Sequence, residues 1–183
     1  MHLVWPLLDT LPSYANALQR GWSPNNLRPE AGQEELALIK ADPVAFVTSL
    51  VDREARGAAV RMPDGSLVPR LPGYRRWMWD GEFCGTISLR WQQGSNALPP
   101  YCLGHIGYSV VPWRQRRGYA TQALALLLRE APAEGLAYVH ITTEPENLAS
   151  QRVILANGGE LVEEFIPVPV VGGTAKLRFR IPL

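Results

Sequence analysis

The chain has 183 residues, of which 46% are hydrophobic and 19% are charged. This is enough apolar sequence for one well-buried core but too little for two, so we expect a single domain over 1–183. The formal net charge of +1 lacks the basic excess that is typical of proteins that bind nucleic acid or anionic membranes, and we expect neither class of partner.

Cysteine and histidine usage indicates a reduced protein without a bound metal. The two cysteines, Cys84 and Cys102, and the three histidines, His2, His105 and His140, are scattered and match no metal-ligand spacing. The sequence shows no signal-peptide pattern and no apolar run of about 18 residues. We therefore expect a cytoplasmic protein, either a monomer or a homodimer.

The N-terminal half predicts helices between an edge strand and a hairpin. Pro6 is tolerated in an edge strand, Pro12 suits the first turn of a helix, and Asp42 can cap the helix that follows it. In chain order the patterns indicate an edge strand at 2–8, a helix at 11–21, a loop at 22–32, helical segments at 33–40 and 43–56, and a surface excursion at 57–73.

The clearest β-hairpin of the sequence lies at 74–91. Asp80-Gly81 is the residue pair preferred in a type I′ turn, and apolar residues alternate with polar ones from Phe83 to Trp91. One face of this hairpin is therefore expected to lie in the core.

A strand, a tight turn and a helix follow at 104–128. Residues 104–111 (GHIGYSVV) are rich in β-branched and aromatic side chains, and Pro112 ends the strand because it has no N–H to donate. Apolar residues then repeat at helical spacing from Ala120 to Leu128. The turn WRQRRGYA therefore opens a helix, and its Gly118 removes a side chain where a ligand would come closest to the backbone.

The start of this helix is suited to phosphate. Its first N–H groups lack intrahelical acceptors and lie at the positive end of the helix dipole. Arg114, Arg116 and Arg117 add positive charge at the same place. Such a cluster in an almost neutral chain favours one polyanionic small ligand, and a plain basic loop facing solvent is the alternative.

The C-terminal part continues the alternation of strands and helices. A strand at 136–143 is expected to run parallel to 104–111, because a helix separates the two. A helix at 147–157 and an antiparallel pair at 160–166 and 174–181 follow. The predicted fold class is α/β, with a central mixed sheet flanked by helices.

The pattern Q-x-x-G-x-A from Gln115 to Ala120, between a strand and an amphipathic helix, resembles the pyrophosphate loop of the GNAT superfamily of acyl-CoA-dependent N-acetyltransferases. The order of the elements is similar to that fold along the whole chain. The specific matches lie between Asp80 and Gly159 and resemble a group of uncharacterised bacterial predicted acetyltransferases. The resemblance implies acetyl-CoA as the acyl donor, no metal, and two splayed parallel strands with pantetheine in the cleft between them.

The resemblance also implies a cofactor site. Backbone groups of Val110 and Val111 are expected to pair with pantetheine, and Asn147, with Ser150 in the same helical turn, is expected to meet pantetheine or its carbonyl. An ordinary helix N-cap is the alternative role of Asn147, and the two roles can coexist. The N–H groups expected to hold the pyrophosphate belong to Gln115, Arg116, Arg117, Gly118, Tyr119, Ala120 and Thr121.

Direct acetyl transfer to an amine needs a proton acceptor, a donor to the oxyanion and an acid for the departing thiolate. Related enzymes place a tyrosine acid at the position of Ile154 and, in some, a glutamate base at the position of Thr142, and both are absent here. We therefore predict His105 or Glu144 as the base. The alternatives are a packed histidine and a solvated glutamate, with solvent and positioning supplying the rate.

Arg90, on the polar side of its strand, is the candidate to bind a carboxylate of the acceptor, and Trp79 is a candidate wall of the acceptor pocket. The predicted function is acetylation of a primary amine on a small molecule or a protein terminus. One alternative is a non-catalytic acyl-CoA-binding or sensing module. Another is a dinucleotide or nucleoside-triphosphate site, although G-x-G-x-x-G and G-K-[ST] are absent.

Overall fold

The computed structural model describes residues 1–25, 28–171 and 173–183. The strands are β1 (His2–Val4), β2 (Val51–Asp52), β3 (Val60–Arg61), β4 (Leu67–Val68), β5 (Gly73–Trp79), β6 (Phe83–Arg90), β7 (Ile106–Val110), β8 (Tyr138–Thr143), β9 (Glu160–Phe165) and β10 (Lys176–Pro182). The helices are α1 (Leu11–Gln19), α2 (Ala31–Ala41), α3 (Pro43–Ser49), α4 (Tyr119–Leu128) and α5 (Leu148–Leu155), with 3-10 turns at Pro112–Arg114, Ala131–Glu134 and Pro169–Val171.

The strands form two main sheets. In the first, β1, β5, β6 and β7 are neighbours in that order, and β2 also pairs with β5. In the second, β10 lies between β8 and β9, while β3 and β4 form a small hairpin inside the predicted surface excursion. The predicted α/β fold class is confirmed, and the described ladders of both main sheets are antiparallel.

Two apolar clusters cover the two faces of the first sheet. On one face, which we call the α4 face, Leu124 of α4 and Ile154 of α5 are fully buried together with Ile87 of β6. On the other, the α1 face, Tyr14 of α1 stacks on Trp77 of β5 with ring centroids 4.7 Å apart. The first sheet is therefore buried between two layers of helices.

One predicted helix boundary is wrong because a short strand follows the helix. The segment expected to be helical to residue 56 ends with α3, because β2 follows at once and pairs with β5. The carboxylate of Asp52 then accepts hydrogen bonds from the N–H groups of Arg56 and Gly57 at 2.9 Å and turns the chain.

Two further boundaries differ near the N-terminus. β1 ends at Val4, before Pro6, and is shorter than the predicted edge strand. The predicted loop at 22–32 contains the start of α2 at Ala31, and its residues 26 and 27 lie outside the described part of the chain.

The hairpin of β5 and β6 is confirmed, with Gly81 at φ 75° in its turn. The predicted alternation along β6 is wrong at its start. A register shift next to the turn places Phe83 in the cluster on the α1 face, whereas Ile87 and Leu89 lie on the α4 face. An alternation counted from Phe83 therefore assigns the first residue to the wrong face.

β7 and β8 belong to different sheets and diverge from one junction. Within the described residues no ladder pairs them, and they meet where the N–H of His105 donates to the carbonyl oxygen of His140 at 2.8 Å. Gly104 permits this approach, because a Cβ there would lie 3.1 Å from the same oxygen. Beyond the junction a gap opens between Val110 and the end of β8, in the manner that the splayed strands of the resemblance imply.

Gly85 allows β6 to approach β7 beside this gap. A Cβ at Gly85 would lie 2.4 Å from the carbonyl oxygen of Ser109 and 2.9 Å from Cα of Val110. Because backbone atoms cannot move aside easily, Gly85→Ala should lower the free energy of unfolding by about 1–3 kcal/mol. Urea denaturation measures the change.

Gly107→Ala on β7 is the matched control. The Cβ at that position would meet the flexible end of the Arg90 side chain at 3.2 Å, and a side-chain end can rotate away. We expect a smaller loss of stability than in Gly85→Ala, and equal losses would contradict the role given to Gly85.

Candidate active site

The turn between β7 and α4 presents a run of backbone N–H groups. Arg116 (φ 61°) and Gly118 (φ 75°) both have positive φ, and α4 begins at Tyr119. In the part of the chain that the structure describes, no protein acceptor takes the N–H groups of 116–121. Consecutive unpaired N–H groups at a helix start form an anion-binding geometry.

Positive charge lies on the same turn. Arg114 is bound to Glu82 in the turn before β6, with Nε donating to Oε1 at 3.0 Å and Nη2 contacting the same oxygen. The side chains of Arg116 and Arg117 are exposed. The predicted cluster of three arginines therefore consists of one structural ion pair and two charges that a polyanion can approach.

The tip of the β5–β6 hairpin holds this turn in place. The hydroxyl of Tyr119 donates a hydrogen bond to the carboxylate of Asp80, and this bond is the first cause that lowers the pKa of Asp80. With the pair formed by Glu82 and Arg114, it ties both ends of the turn to one hairpin. This role could not be predicted from the sequence, because Glu82 lies 32 residues before Arg114 and Asp80 lies 39 residues before Tyr119.

Val110 and Val111 differ in what their backbones offer to pantetheine. The N–H of Val111 donates to the carbonyl of Cys84 at 3.0 Å, and the Val111 carbonyl accepts the N–H of Arg114 at 2.9 Å. The expected pairing of Val111 with pantetheine therefore does not fit the structure. Backbone groups alternate along a strand, so those of Val110 face the gap. The Val110 carbonyl contacts the side chain of Gln115 at 3.3 Å, which a ligand can displace.

The start of α5 lies across the gap from β7. Asn147 caps this helix, because its Oδ1 accepts the N–H of Ser150 at 3.0 Å. The NH2 group of the same side chain is a further donor. Tyr108 of β7 reaches the same turn, with its Oη 2.8 Å from Ser150 Oγ. The N-cap role of Asn147 is therefore present, and it is compatible with a contact to a ligand.

His105 lies at the closed end of the gap. Its side chain is fully buried, and its Nδ1 accepts the N–H of His140 at 2.9 Å, so the proton of the neutral ring is on Nε2. Burial first, and then the charge of His140, lower the pKa of His105 to about 4. An imidazole whose lone pair is already engaged is poorly placed to take a proton from an amine.

Glu144 follows β8 at the open end of the gap. Lys176 of β10 binds its carboxylate, and this hydrogen bond is the main cause that lowers the pKa of Glu144. The carboxylate is therefore ionised at neutral pH but is a weak base. Lys176 is buried, although its place on an alternating strand predicts a solvated side chain. No local pattern connects it to Glu144, which lies 32 residues earlier.

Arg90 and Trp79, the two predicted acceptor residues, lie at opposite ends of the hairpin. The Nη2 of Arg90 donates to Ser88 Oγ at 3.1 Å, and its backbone N–H donates to the His105 carbonyl at 2.9 Å. Trp79 is about 20 Å from Arg90 along the length of the hairpin, and it packs in the cluster of the α1 face. The two side chains therefore do not line one small pocket, and Arg90 is the one beside the gap.

Arg90 also differs from most arginines of this chain in its surroundings. It is half-buried, and among the described residues no carboxylate forms an ion pair with it. Its neighbours Ile87 and Leu89 point to the α4 face, so by alternation Ser88 and Arg90 lie on the α1 face.

Within the described ranges, no group of three or more His, Cys, Asp and Glu side chains is placed to hold a metal ion. None of the helices described has both the length and the apolar character needed to cross a bilayer. Cys84 and Cys102 are both free thiols.

Solved structures share this architecture. The microcin C7 self immunity acetyltransferase MccE, solved with acetyl-CoA and AMP, matches 99% of this chain and 91% of its own at 12% identity, with a TM-score of 0.63. A putative ribosomal-protein-serine acetyltransferase from Vibrio cholerae matches 99% and 92% at 17% identity and a TM-score of 0.59. RimL, a ribosomal L7/L12 α-N-protein acetyltransferase solved with CoA, matches 99% and 93% at 13% identity and a TM-score of 0.61. At these identities the likeness concerns the fold.

A comparison with curated proteins gives no significant match. The family model described as an acetyltransferase (GNAT) domain matches residues 22–160. This range is well over half of the chain, and it includes β7, the turn before α4, β8 and α5. The chain therefore belongs to the GNAT acetyltransferases and is an N-acetyltransferase whose acyl donor is acetyl-CoA.

Proposed function

We propose that this enzyme transfers the acetyl group directly to a primary amine in the gap between β7 and β8. The pyrophosphate of acetyl-CoA lies in the turn at 115–121, where the N–H groups, Arg116 and Arg117 bind it. The pantetheine runs along Val110 and passes Asn147 at the start of α5. The observation that carries this proposal is the run of N–H groups at 116–121, which have no acceptor among the described residues and lie beside a gap between two strands.

The acceptor enters from the α1 face, opposite α4 and the start of α5. Arg90 lies on that face next to the closed end of the gap. A half-buried guanidinium without a carboxylate partner is costly, because burial removes hydration that nothing replaces. An anionic group on the acceptor would supply the missing partner. The acceptor is therefore a primary amine with a carboxylate or similar anion close to it, on a small molecule or at a protein terminus.

The amine proton leaves to solvent. The amine attacks the thioester carbon, the C–N bond forms, and the C–S bond breaks with its electron pair on sulfur. His105 is buried with its Nδ1 engaged, and Glu144 is bound to Lys176. Neither is free to act as a strong base, so positioning of the two reactants supplies most of the rate.

Gly118→Asp tests the proposed pyrophosphate site. A carboxylate at Gly118 would lie beside the pyrophosphate, and like-charge repulsion should weaken CoA binding by at least about tenfold. Isothermal titration calorimetry measures the affinity.

Gly135→Asp is the matched control for that variant. Gly135 has nearly the same φ as Gly118, 80° against 75°, and open surroundings, but it lies in the turn that precedes β8. We expect its CoA affinity to equal that of the parent. If folded Gly118→Asp also bound CoA as the parent does, the turn would not be the pyrophosphate site.

The pH dependence of the reaction tests the route of the proton. Because the pKa of His105 is lowered to about 4, the residue stays neutral between about pH 5 and 8 and should cause no inflection there. The value of kcat/KM should rise with pH as the ammonium group of the acceptor loses its proton and becomes the reactive neutral amine.

His105→Gln, which retains an acceptor for the His140 N–H, and Glu144→Gln should both keep the parental profile. The pH profile is obtained from rates measured over a pH series with one acceptor. Loss of the rising limb in one variant would identify that residue as the base and contradict transfer of the proton to solvent.

Arg90→Gln tests the proposed anion on the acceptor. For amines with a neighbouring carboxylate, kcat/KM should fall by about 10- to 100-fold, the range expected when a charged hydrogen bond is lost. The corresponding amides should react equally well with variant and parent. Arg129→Gln, at the exposed end of α4, is the control. Equal losses for acids and amides in Arg90→Gln would exclude recognition of an anion.

A further inference from the structure

The departing sulfur is the part of this reaction for which the structure offers a specific partner. When the C–S bond breaks, negative charge develops on sulfur, and a hydrogen-bond donor at that place lowers the barrier. The donor must lie in the gap, on the side from which the pantetheine enters.

Tyr108 meets both conditions. It lies on β7 between Ile106 and Val110, and all three side chains pack against the cluster of the α4 face. Its phenol extends from β7 to the first turn of α5, where Oη lies 2.8 Å from Ser150 Oγ and 3.3 Å from the Ser150 carbonyl oxygen. The side chain of Tyr108 therefore reaches from β7 to α5, the strand and the helix that flank the proposed pantetheine path.

The capped start of α5 fixes the partner of this phenol. Asn147 Oδ1 accepts the N–H of Ser150, which holds the Ser150 hydroxyl close to Tyr108. A serine hydroxyl can donate to the phenol oxygen while the phenol proton is given to another acceptor. In the structure that second acceptor is the Ser150 carbonyl at 3.3 Å, a long contact that a stronger acceptor can replace.

We propose that Tyr108 donates its phenolic hydrogen bond to the sulfur of CoA as the thiolate departs, while Ser150 donates to the phenol oxygen and orients it. The proposal rests on the proposed transfer in the gap. Tyr108 then acts on the leaving group, at the opposite end of the reacting centre from Arg90, which binds the acceptor.

The protonation state of Tyr108 defines what it can do. Burial raises its pKa to about 12, and the hydrogen bond with Ser150 opposes this, so the phenol keeps its proton at neutral pH. A thiol has a pKa of about 8.5, and complete transfer of the phenol proton to the thiolate would therefore be unfavourable. Tyr108 stabilises the charge by hydrogen bonding. The amine releases one proton to solvent, and the thiolate later takes one from solvent.

Tyr108→Phe, compared with the parent on two acyl donors, tests the proposal. With acetyl-CoA, kcat should fall by about 10- to 100-fold, the loss expected for one hydrogen bond to a charged atom, while KM for acetyl-CoA changes less than about threefold. With an acetyl ester of a nitrothiophenol, whose ring delocalises the thiolate charge, the loss should be less than about threefold. Ser150→Ala should show a smaller loss with the same dependence on the leaving group.

Tyr74→Phe is the matched control, because it removes a phenol that is bound to Glu130 at 3.1 Å and lies outside the gap. It should react as the parent does with both donors. Equal losses for acetyl-CoA and the aryl thioester in Tyr108→Phe would show a structural effect and overturn the proposal. If the parent acetylates no amine of a broad panel, the proposed function itself fails. If the parent is active and Tyr108→Phe is unchanged, the role of Tyr108 alone fails.

A binding measurement gives a readout that does not depend on turnover. The thiol of bound CoA can be titrated by the ultraviolet absorbance of its thiolate. Donation from Tyr108 should lower the pKa of that thiol below the value in free CoA, and Tyr108→Phe should return it toward that value. An identical thiol pKa in parent and variant complexes would also overturn the proposal.

Discussion

The site depends on the junction at which β7 and β8 meet. The His105 N–H donates to the His140 carbonyl, and the His140 N–H is taken by the imidazole of His105. In a continuous parallel ladder the carbonyl of His105 would next accept an N–H of β8, but it accepts the N–H of Arg90 of β6 at 2.9 Å. Because this carbonyl turns to β6, the ladder does not continue and the strands diverge. His105 therefore contributes to function by ending a sheet, and the gap beyond it is the space that a cofactor can fill.

The two sides of this gap are organised for different partners. On the α4 face, the hairpin acids Asp80 and Glu82 bind Tyr119 and Arg114, which fixes the turn at the start of α4. These carboxylates lie close to a site for a polyanion and would repel it. Their bonds to Tyr119 and Arg114 offset that repulsion. On the α1 face, Arg90 is half-buried without a carboxylate partner among the described residues. The fold thus separates the donor side from the acceptor side.

Local patterns predicted the elements that frame the site. The Asp80-Gly81 turn, the strand before Pro112 and the basic helix start are each encoded by neighbouring residues, and the structure contains all three. What the sequence could not provide depends on register and on contacts between distant segments. The backbone N–H of Val111 is bonded to the Cys84 carbonyl because β6 and β7 pair in a particular register. Lys176 and Glu144 meet because β10 lies beside β8. The phenol of Tyr108 could not be connected to Ser150, 42 residues later.

A crystal structure of the protein with CoA tests the proposed site most directly. We expect pyrophosphate oxygens within hydrogen-bond distance of the N–H groups of 116–121, pantetheine along Val110, and the sulfur next to the Tyr108 hydroxyl. The contact of Gln115 with the Val110 carbonyl should be replaced by the ligand. CoA bound away from the gap between β7 and β8, or pantetheine bound outside it with the turn at 115–121 empty, would contradict the proposed site.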